Sequence, residues 1–487
     1  MALAPRRKLV VEHTSGPDNG ARSPGATVQE LLDRDSHEVP VTLRQQAAAS
    51  LGSKDIPVDR YLSRAFHELE VQRLWGRVWQ LACREEDIPE VGDSTIYDIA
   101  DRSLLIVRET PDTIRAFHNA CLHRGRQLRS EPGWSPELRC PFHGFTWRLD
   151  GTLKEIPCEW DFPHVDAAEF SLPEAQVATW AGWVFINMDL ASRPFEEFIG
   201  SFAEAFPWRQ EELTKGVHVA KVLRANWKVA LEAFIESYHV IATHPQLLVS
   251  LGDANTQYDV FDDQPRWNRM ITAMGTPSPH LPYDVSEQDI MDDLMEQFMG
   301  PGATYPLAEG KTAREAMGDL IRMQVGGVTG VPCEVSDSEA FDAIEYYLFP
   351  NFVPWGGYSR INYRFRPYGN DPDMCIMDVM LLAPFNQAEG RPPAAAVHWL
   401  GPDDAWTDAP ELGLLAKVFV QDTFNIPRVQ RGLRATVKPG VTLANYQESR
   451  IRHYHQELDR WLGLDEEPGA NGDAPLTSNG HAERPAG

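Results

Sequence analysis

The sequence predicts an α+β protein made of two folded units between two tails. Two observations predict this. From residue 80 to 195, short alternating runs such as STIYDIA, SLLIVRE, TIRAFHN and WVFINM are broken by Gly, Pro and Asp. That is the pattern of a small antiparallel β domain. From 196 to 465, helices and strands mix. NWKVALEAFIESYHVIA and LGLLAKVFVQDTF carry helical periodicity, whereas YSRINYRFRPY and CIMDVMLLAPF read as strands.

The flanking segments are read in the same way. Residues 1–52 are rich in Ser, Gly, Ala, Gln and charge, so they are expected to form a mobile tail with one short helix near VQELLDRD. Residues 53–79 contain SRAFHELEVQRLWGRVW, an amphipathic helix from Ser63. It turns Phe66, Leu69, Leu74 and Trp75 toward a core and is expected to pack on the larger domain. Residues 466–487 are poor in apolar side chains and are expected to be disordered.

Composition narrows the function. The formal net charge is −26, a poor match for nucleic acid. No run approaches the roughly 18 consecutive apolar residues of a membrane span. The start, MALAPRRKLVVEHTSG, has too short an apolar run for a signal peptide. Six cysteines in 487 residues do not make a disulfide framework, so a cytoplasmic location is expected.

Two short motifs carry the chemistry. Cys121-x-His123 is followed, after sixteen residues, by Cys140-x-x-His143, within CLHRG and CPFHG. Two thiolates and two imidazoles are the ligand set of a Rieske [2Fe–2S] centre, in which the cysteines hold one iron and the histidines the other. A structural zinc site takes the same residue types, but zinc hairpins usually pair like with like. Here each segment supplies one Cys and one His, which favours the cluster.

A second constellation lies in the larger domain. On a helix starting near Asn226, Glu232, Glu236 and His239 would form one stripe among Leu231, Phe234, Ile235, Val240 and Ile241. His244 lies roughly 140° off His239 on a regular helix. Pro245 follows at once and disfavours helix at His244, so the helix should loosen near Thr243 and let both rings face one metal. Two imidazoles and a carboxylate form the facial triad of non-haem Fe(II) sites. Asp422 is the candidate carboxylate. It sits on a stripe with Leu415, Val418, Phe419, Ile426 and Val429, where a lone Asp must meet a cation or a metal. The alternatives are satisfied core histidines and a buried pair of Asp422 with Arg428 or another arginine. The cluster motif upstream favours the metal.

At these residues a family resemblance is specific. HNACLHRGRQL and LRCPFHGFTWRLDGTL closely resemble the cluster loops of Rieske non-haem iron oxygenases. Pro141, Gly144 and Trp147 fall in the loops that shield the cluster there. NWKVALEAFIESYHVIATH and VQDTFNIPRVQRGL resemble the two iron-binding helices of the family's α subunits, and WAGWVFINMD resembles its last Rieske-domain strand. The resemblance runs from about residue 55 to 465. It implies a small antiparallel Rieske domain joined to a helix-grip (START-like) catalytic domain with an antiparallel sheet and iron-binding helices. It implies that Cys121, His123, Cys140 and His143 hold a [2Fe–2S] cluster and that His239, His244 and Asp422 hold one mononuclear Fe(II). It also implies that Glu236 bridges His239 to His143 of a neighbouring subunit in a head-to-tail homotrimer. Glu236 departs from the Asp usual in ring-dihydroxylating members, which leaves mono- against dioxygenation open. The segment from 250 to 340 has no mappable pattern, and in the family such a region roofs the substrate pocket.

The expected function follows. No G-x-G-x-x-G follows a strand, so electrons must come from a separate ferredoxin or flavin reductase, and ultimately from NAD(P)H. Arg124, Arg126, Arg129, Arg139 and Arg148 against Glu131 and Glu137 make a locally basic docking face, unless some of these arginines pair internally. The chain is expected to be a terminal oxygenase that uses O₂ to hydroxylate or dealkylate a largely apolar, aromatic or polycyclic organic substrate, with or without a β subunit. The rival reading is a non-catalytic Rieske-type electron carrier, or a zinc-stabilised binding protein.

Overall fold

The computed structural model describes residues 22–464 apart from Ser359. The expected disordered segment 466–487 lies outside the described residues, as do residues 1–21.

The smaller domain is a seven-stranded antiparallel sheet. In spatial order its strands are Gln80–Arg84, Trp183–Asn187, Glu174–Trp180, Thr113–His118, Arg102–Thr110, Asp93–Ile99 and Gly133–Trp134. The strands Leu138–Arg139, Thr146–Trp147 and Leu153–Glu155 form a separate three-stranded sheet. Leu105, Val107, Phe117, Phe145 and Trp147 are buried between them, together with Cys121 and Cys140.

The larger domain is built on an eight-stranded sheet. Its order is Gln257–Asp259, Trp267–Thr272, Ala343–Leu348, Phe352–Pro354, Ile361–Tyr368, Asp371–Ala383, Thr214–Leu223 and His398–Leu400. All pairings are antiparallel except the last, where Val219–Lys221 runs parallel to His398–Leu400. The sheet is therefore not purely antiparallel. The helices Trp227–Glu232, Leu415–Ala435 and Ser449–Leu462 pack on it. Phe234, Tyr363, Phe365 and Phe419 meet between sheet and helices, with ring centroids 5.1–6.2 Å apart. In the segment from 250 to 340, helices Glu287–Met299 and Ala313–Thr329 carry their own apolar core of Ile290, Met291, Leu294, Ala316, Met317 and Phe341.

Three expectations need correction. Residues 22–52 are not a mobile tail. Thr27 and Glu30 close a capping box on the helix Val28–Leu32, and Leu32 and Leu43 are buried. Arg314 donates to Asp35 at 3.1 Å, Arg269 donates to the Gln45 carbonyl at 2.7 Å, and Ser36 binds Asp337. The partners are more than 200 residues away, so local composition does not reveal them. Next, the helix from Asn226 does not run to Thr243. It ends at Glu232 and resumes only as Val240–Thr243, because side chains replace helical backbone bonds in between. The Ser237 N–H goes to the Tyr258 hydroxyl at 2.9 Å and the His239 N–H to Glu236 at 3.0 Å. Finally, Val429 is exposed rather than on the buried stripe of the Asp422 helix, which consists of Ala416, Phe419, Asp422, Ile426, Gln430 and Leu433.

The break separates Glu232 from the stripe it was assigned. Glu232 accepts from the Tyr61 hydroxyl at 3.0 Å and lies 2.9 Å from His455 Nε2. Nearby, Lys228 donates to Glu70 at 2.7 Å, both side chains being fully buried. This cluster ties the segment before the β domain to the two ends of the larger domain. Burial pushes the Glu232 carboxyl up to about 8, outweighing the Tyr61 hydrogen bond, and holds the His455 imidazole well below its usual value. A protonated Glu232 can therefore donate to a neutral His455. In the unfolded chain Glu232 ionises near 4.5, so folding takes up a proton between about 4.5 and about 8, and stability falls as pH rises across that window. Glu232→Gln cannot ionise. Its stability relative to the parent should rise from pH 5 to pH 8.5 by on the order of 4 kcal/mol. Denaturant unfolding at both pH values measures this, and an equal difference at the two would contradict it.

Candidate redox centre and metal site

The two cluster loops are built alike. In the first, Gly125 N–H donates to the Cys121 carbonyl at 2.9 Å and Cys121 N–H to the Arg126 carbonyl at 2.8 Å. In the second, Gly144 N–H donates to the Cys140 carbonyl at 3.0 Å and Cys140 N–H to the Phe145 carbonyl at 2.8 Å. Each turn closes on a glycine in the left-handed region, with φ of 74° at Gly125 and 81° at Gly144. A side chain there would be strained, which explains the Gly that ends each motif. Asn119 pins the first loop by accepting from the N–H groups of Leu128 and Arg129, both at 3.0 Å. The sequence reading missed this residue.

The four expected ligands converge. Cys121 and Cys140 are both buried, and the His123 and His143 rings lie 4.7 Å apart. His123 stacks on Phe145 at 4.7 Å, and its Nδ1 is buried without a hydrogen-bond partner. A buried, unpaired imidazole nitrogen beside two thiols and a second imidazole suits a mixed Cys/His cluster. Trp147 is fully buried and donates to the Phe170 carbonyl at 2.9 Å, whereas Pro141 is exposed. The cysteine end of the site faces the interior, and the exposed His143 faces outward.

The second constellation also converges. His239, His244 and Asp422 each place a ligand atom within 4.8 Å of the others. Asp422 Oδ1 lies 2.8 Å from His244 Nε2 and 3.5 Å from His239 Nε2. His244 reaches this position because the helix stops at Thr243 and His244 takes φ −124° and ψ 53°, outside the helical region. Asp422 does not pair with Arg428, which donates instead to the Phe424 carbonyl. Burial opposes ionisation of Asp422, but its contacts with His239 and His244 hold its pKa below the usual value. Burial likewise opposes a charged His239, and Asp422 and Glu236 outweigh it, lifting its pKa to about 10. Two carboxylates, Asp422 and Glu236, thus face the imidazoles, an arrangement that suits a bound cation.

Glu236 is 9% exposed, and its Oε1 lies 2.6 Å from His239 Nδ1. That contact leaves Nε2 free to face Asp422, the arrangement by which a carboxylate behind a histidine orients it toward a metal. Gln421 does the same for His244 and was also missed. Its only sequence signal is adjacency to Asp422. Of the five arginines of the basic face, none pairs with a carboxylate among the described residues, and Arg124, Arg126, Arg139 and Arg148 are exposed. Arg129 donates to the Glu137 carbonyl at 3.2 Å. None of the six cysteines is in a disulfide.

Comparison with known proteins agrees with this architecture. The family described as the ring hydroxylating alpha subunit (catalytic domain) matches residues 210–464, and the Rieske [2Fe-2S] domain matches residues 78–168. The glycine betaine monooxygenase oxygenase subunit of Pseudomonas aeruginosa is 31% identical over 216 residues, 43% of this chain and 50% of the relative. The biphenyl dioxygenase subunit alpha of Paraburkholderia xenovorans is 27% identical over 287 residues, 55% of this chain and 61% of the relative. The match thus spans about half the length of the first of these curated relatives. Two solved structures share the fold. The quaternary ammonium Rieske monooxygenase CntA with L-carnitine has a TM-score of 0.58 at 18% identity, covering 84% of this chain and 95% of that one. Naphthalene 1,2-dioxygenase with indole bound has a TM-score of 0.58 at 17% identity, covering 85% and 93%. With both domains matched in order along one chain, the protein belongs to the family of Rieske ring-hydroxylating oxygenase α subunits.

Proposed function

We propose that this chain is the terminal oxygenase of a multicomponent system. It takes electrons from a separate ferredoxin or flavin reductase and uses O₂ to hydroxylate or dealkylate an organic substrate. The observation that carries this reading is the meeting of His239, His244 and Asp422, with the second ring nitrogen of each histidine engaged from behind. Cys121, Cys140, His123 and His143 would hold a [2Fe–2S] cluster that supplies single electrons, and the triad would hold an Fe(II) that supplies O₂ activation. The three triad ligands leave coordination positions open on such an iron, which a purely structural site does not need.

The chain's own residues account for the rest. The exposed arginines beside His143, with Phe142 at 55% exposure, suit an acidic electron donor. Glu236 already holds His239 Nδ1, and accepting an N–H from the partner subunit's His143 would join the two centres across a head-to-tail trimer. The substrate is apolar, aromatic or polycyclic, a reading supported by the likeness to biphenyl dioxygenase subunit alpha. A methylated ammonium is the second substrate reading, supported by the likeness to glycine betaine monooxygenase. No helix among the described residues is long and apolar enough to cross a membrane. We place the protein in the cytoplasm on its lack of disulfides.

Two variants test the reading. Asp422→Ala should lose the mononuclear iron and substrate oxygenation while the visible spectrum of the cluster persists. Full iron content and turnover in that variant would make Asp422 structural. Glu236→Gln should keep both metals and the assembly, yet slow single-turnover reoxidation of the reduced cluster by about 100-fold. Parental reoxidation rates in a fully metallated protein would remove the relay role.

A further inference from the structure

His244 is held at both ring nitrogens by consecutive residues of one helix. Asp422 Oδ1 faces Nε2 at 2.8 Å, and Gln421 Oε1 faces Nδ1 at 2.9 Å. Successive helical residues point about 100° apart, so this pair straddles the ring rather than stacking on one side of it. Gln421 is itself held. Gln246, two residues beyond His244, donates to Gln421 Oε1 at 2.7 Å, and Gln421 Nε2 donates back to Gln246 Oε1 at 3.2 Å. One amide oxygen therefore accepts both from the imidazole and from a second amide.

We propose that Gln421 is a positioning residue for the metal site, setting the tautomer of His244, with Gln246 holding the Gln421 amide in place. The inference rests on the reading of His239, His244 and Asp422 as metal ligands. A neutral imidazole binds a metal through the nitrogen without a proton. An acceptor at Nδ1 keeps the proton there and leaves the Nε2 lone pair for the metal beside Asp422. A turned Gln421 amide would present N–H₂ to Nδ1, shift the proton to Nε2 and block ligation. That turn also places N–H₂ against the N–H₂ of Gln246, so one amide cannot turn without the other. His239 is set by a carboxylate at Nδ1 and His244 by a neutral amide. The two ligands therefore differ in basicity, with His239 the more electron-rich.

The test is metal affinity, measured by titrating Co(II) into protein whose mononuclear site has been emptied by chelation and whose cluster is retained. Gln421→Leu keeps the bulk and removes the acceptor, and its dissociation constant should rise about 10–100-fold. Gln421→Glu keeps an acceptor at Nδ1 and should bind within about threefold of the parent. Gln246→Leu, which removes only the second amide, should lie between them. A purely structural role predicts equal losses in Gln421→Leu and Gln421→Glu, and that result would overturn the inference. So would parental affinity in Gln421→Leu alongside lost affinity in Asp422→Ala. Parental affinity in Asp422→Ala itself would instead overturn the metal-site reading, and the inference with it.

Discussion

The buried carboxylate of Asp422 is the constraint around which the catalytic domain is arranged. It is 4% exposed on a helix whose neighbouring buried residues are Phe419 and Ile426. An ionised carboxylate in such surroundings is untenable without nearby positive charge or donors. His244 and His239 answer that demand, and supplying them from one short segment requires the chain to leave helical geometry twice. The break between Glu232 and Val240 swings His239 round, and the stop at Thr243 turns His244 back. Glu236 and Gln421 then engage the far nitrogens, so both rings present Nε2 to the same point. Side chains take two of the N–H groups freed in the break, Tyr258 that of Ser237 and Glu236 that of His239.

The second requirement is to hold the β domain against this site, and it is met by buried charge rather than by an apolar seam alone. Lys215 on the large sheet binds Asp87 of the β domain, and its own backbone N–H goes to Glu86 at 2.6 Å. Arg364 donates to Asp378 at 2.9 Å and reaches the Ala82 carbonyl across the boundary. Arg366 donates to the Asp98 carbonyl at 2.9 Å, and His218 lies 3.0 Å from Asp378. Burial and the neighbouring Lys215 hold His218 below its usual pKa despite its contact with Asp378, so the cation count at this boundary stays fixed near neutral pH. The net stabilisation from such buried charges is small once their desolvation is counted.

Much of the site was legible in the sequence because its signals are short-range. The two Cys/His motifs, the glycines after them and the histidine–proline step at His244 are each decided within a few residues. Asp422 was legible as a misfit, a charge on an apolar stripe. What failed was whatever depends on distant partners. Glu232 matched helical spacing to His239, but Tyr61 and His455 draw it elsewhere. Residues 22–52 looked too polar to fold, yet Asp35, Ser36 and Gln45 each meet a partner far along the chain. Gln421 carries no pattern of its own, and only the three-dimensional position of His244 gives it a role. The parallel edge strand at His398–Leu400 likewise depends on a crossover that local alternation cannot show.

We propose that one chain holds two different iron centres, one on mixed Cys/His loops and one on the His239–His244–Asp422 triad. Iron and acid-labile sulfide analysis of anaerobically purified protein tests it most directly. The account predicts about three irons and about two sulfides per chain, for one [2Fe–2S] cluster and one mononuclear iron. A colourless protein containing only zinc would contradict both assignments, and two irons with two sulfides, unchanged after incubation with Fe(II), would contradict the triad.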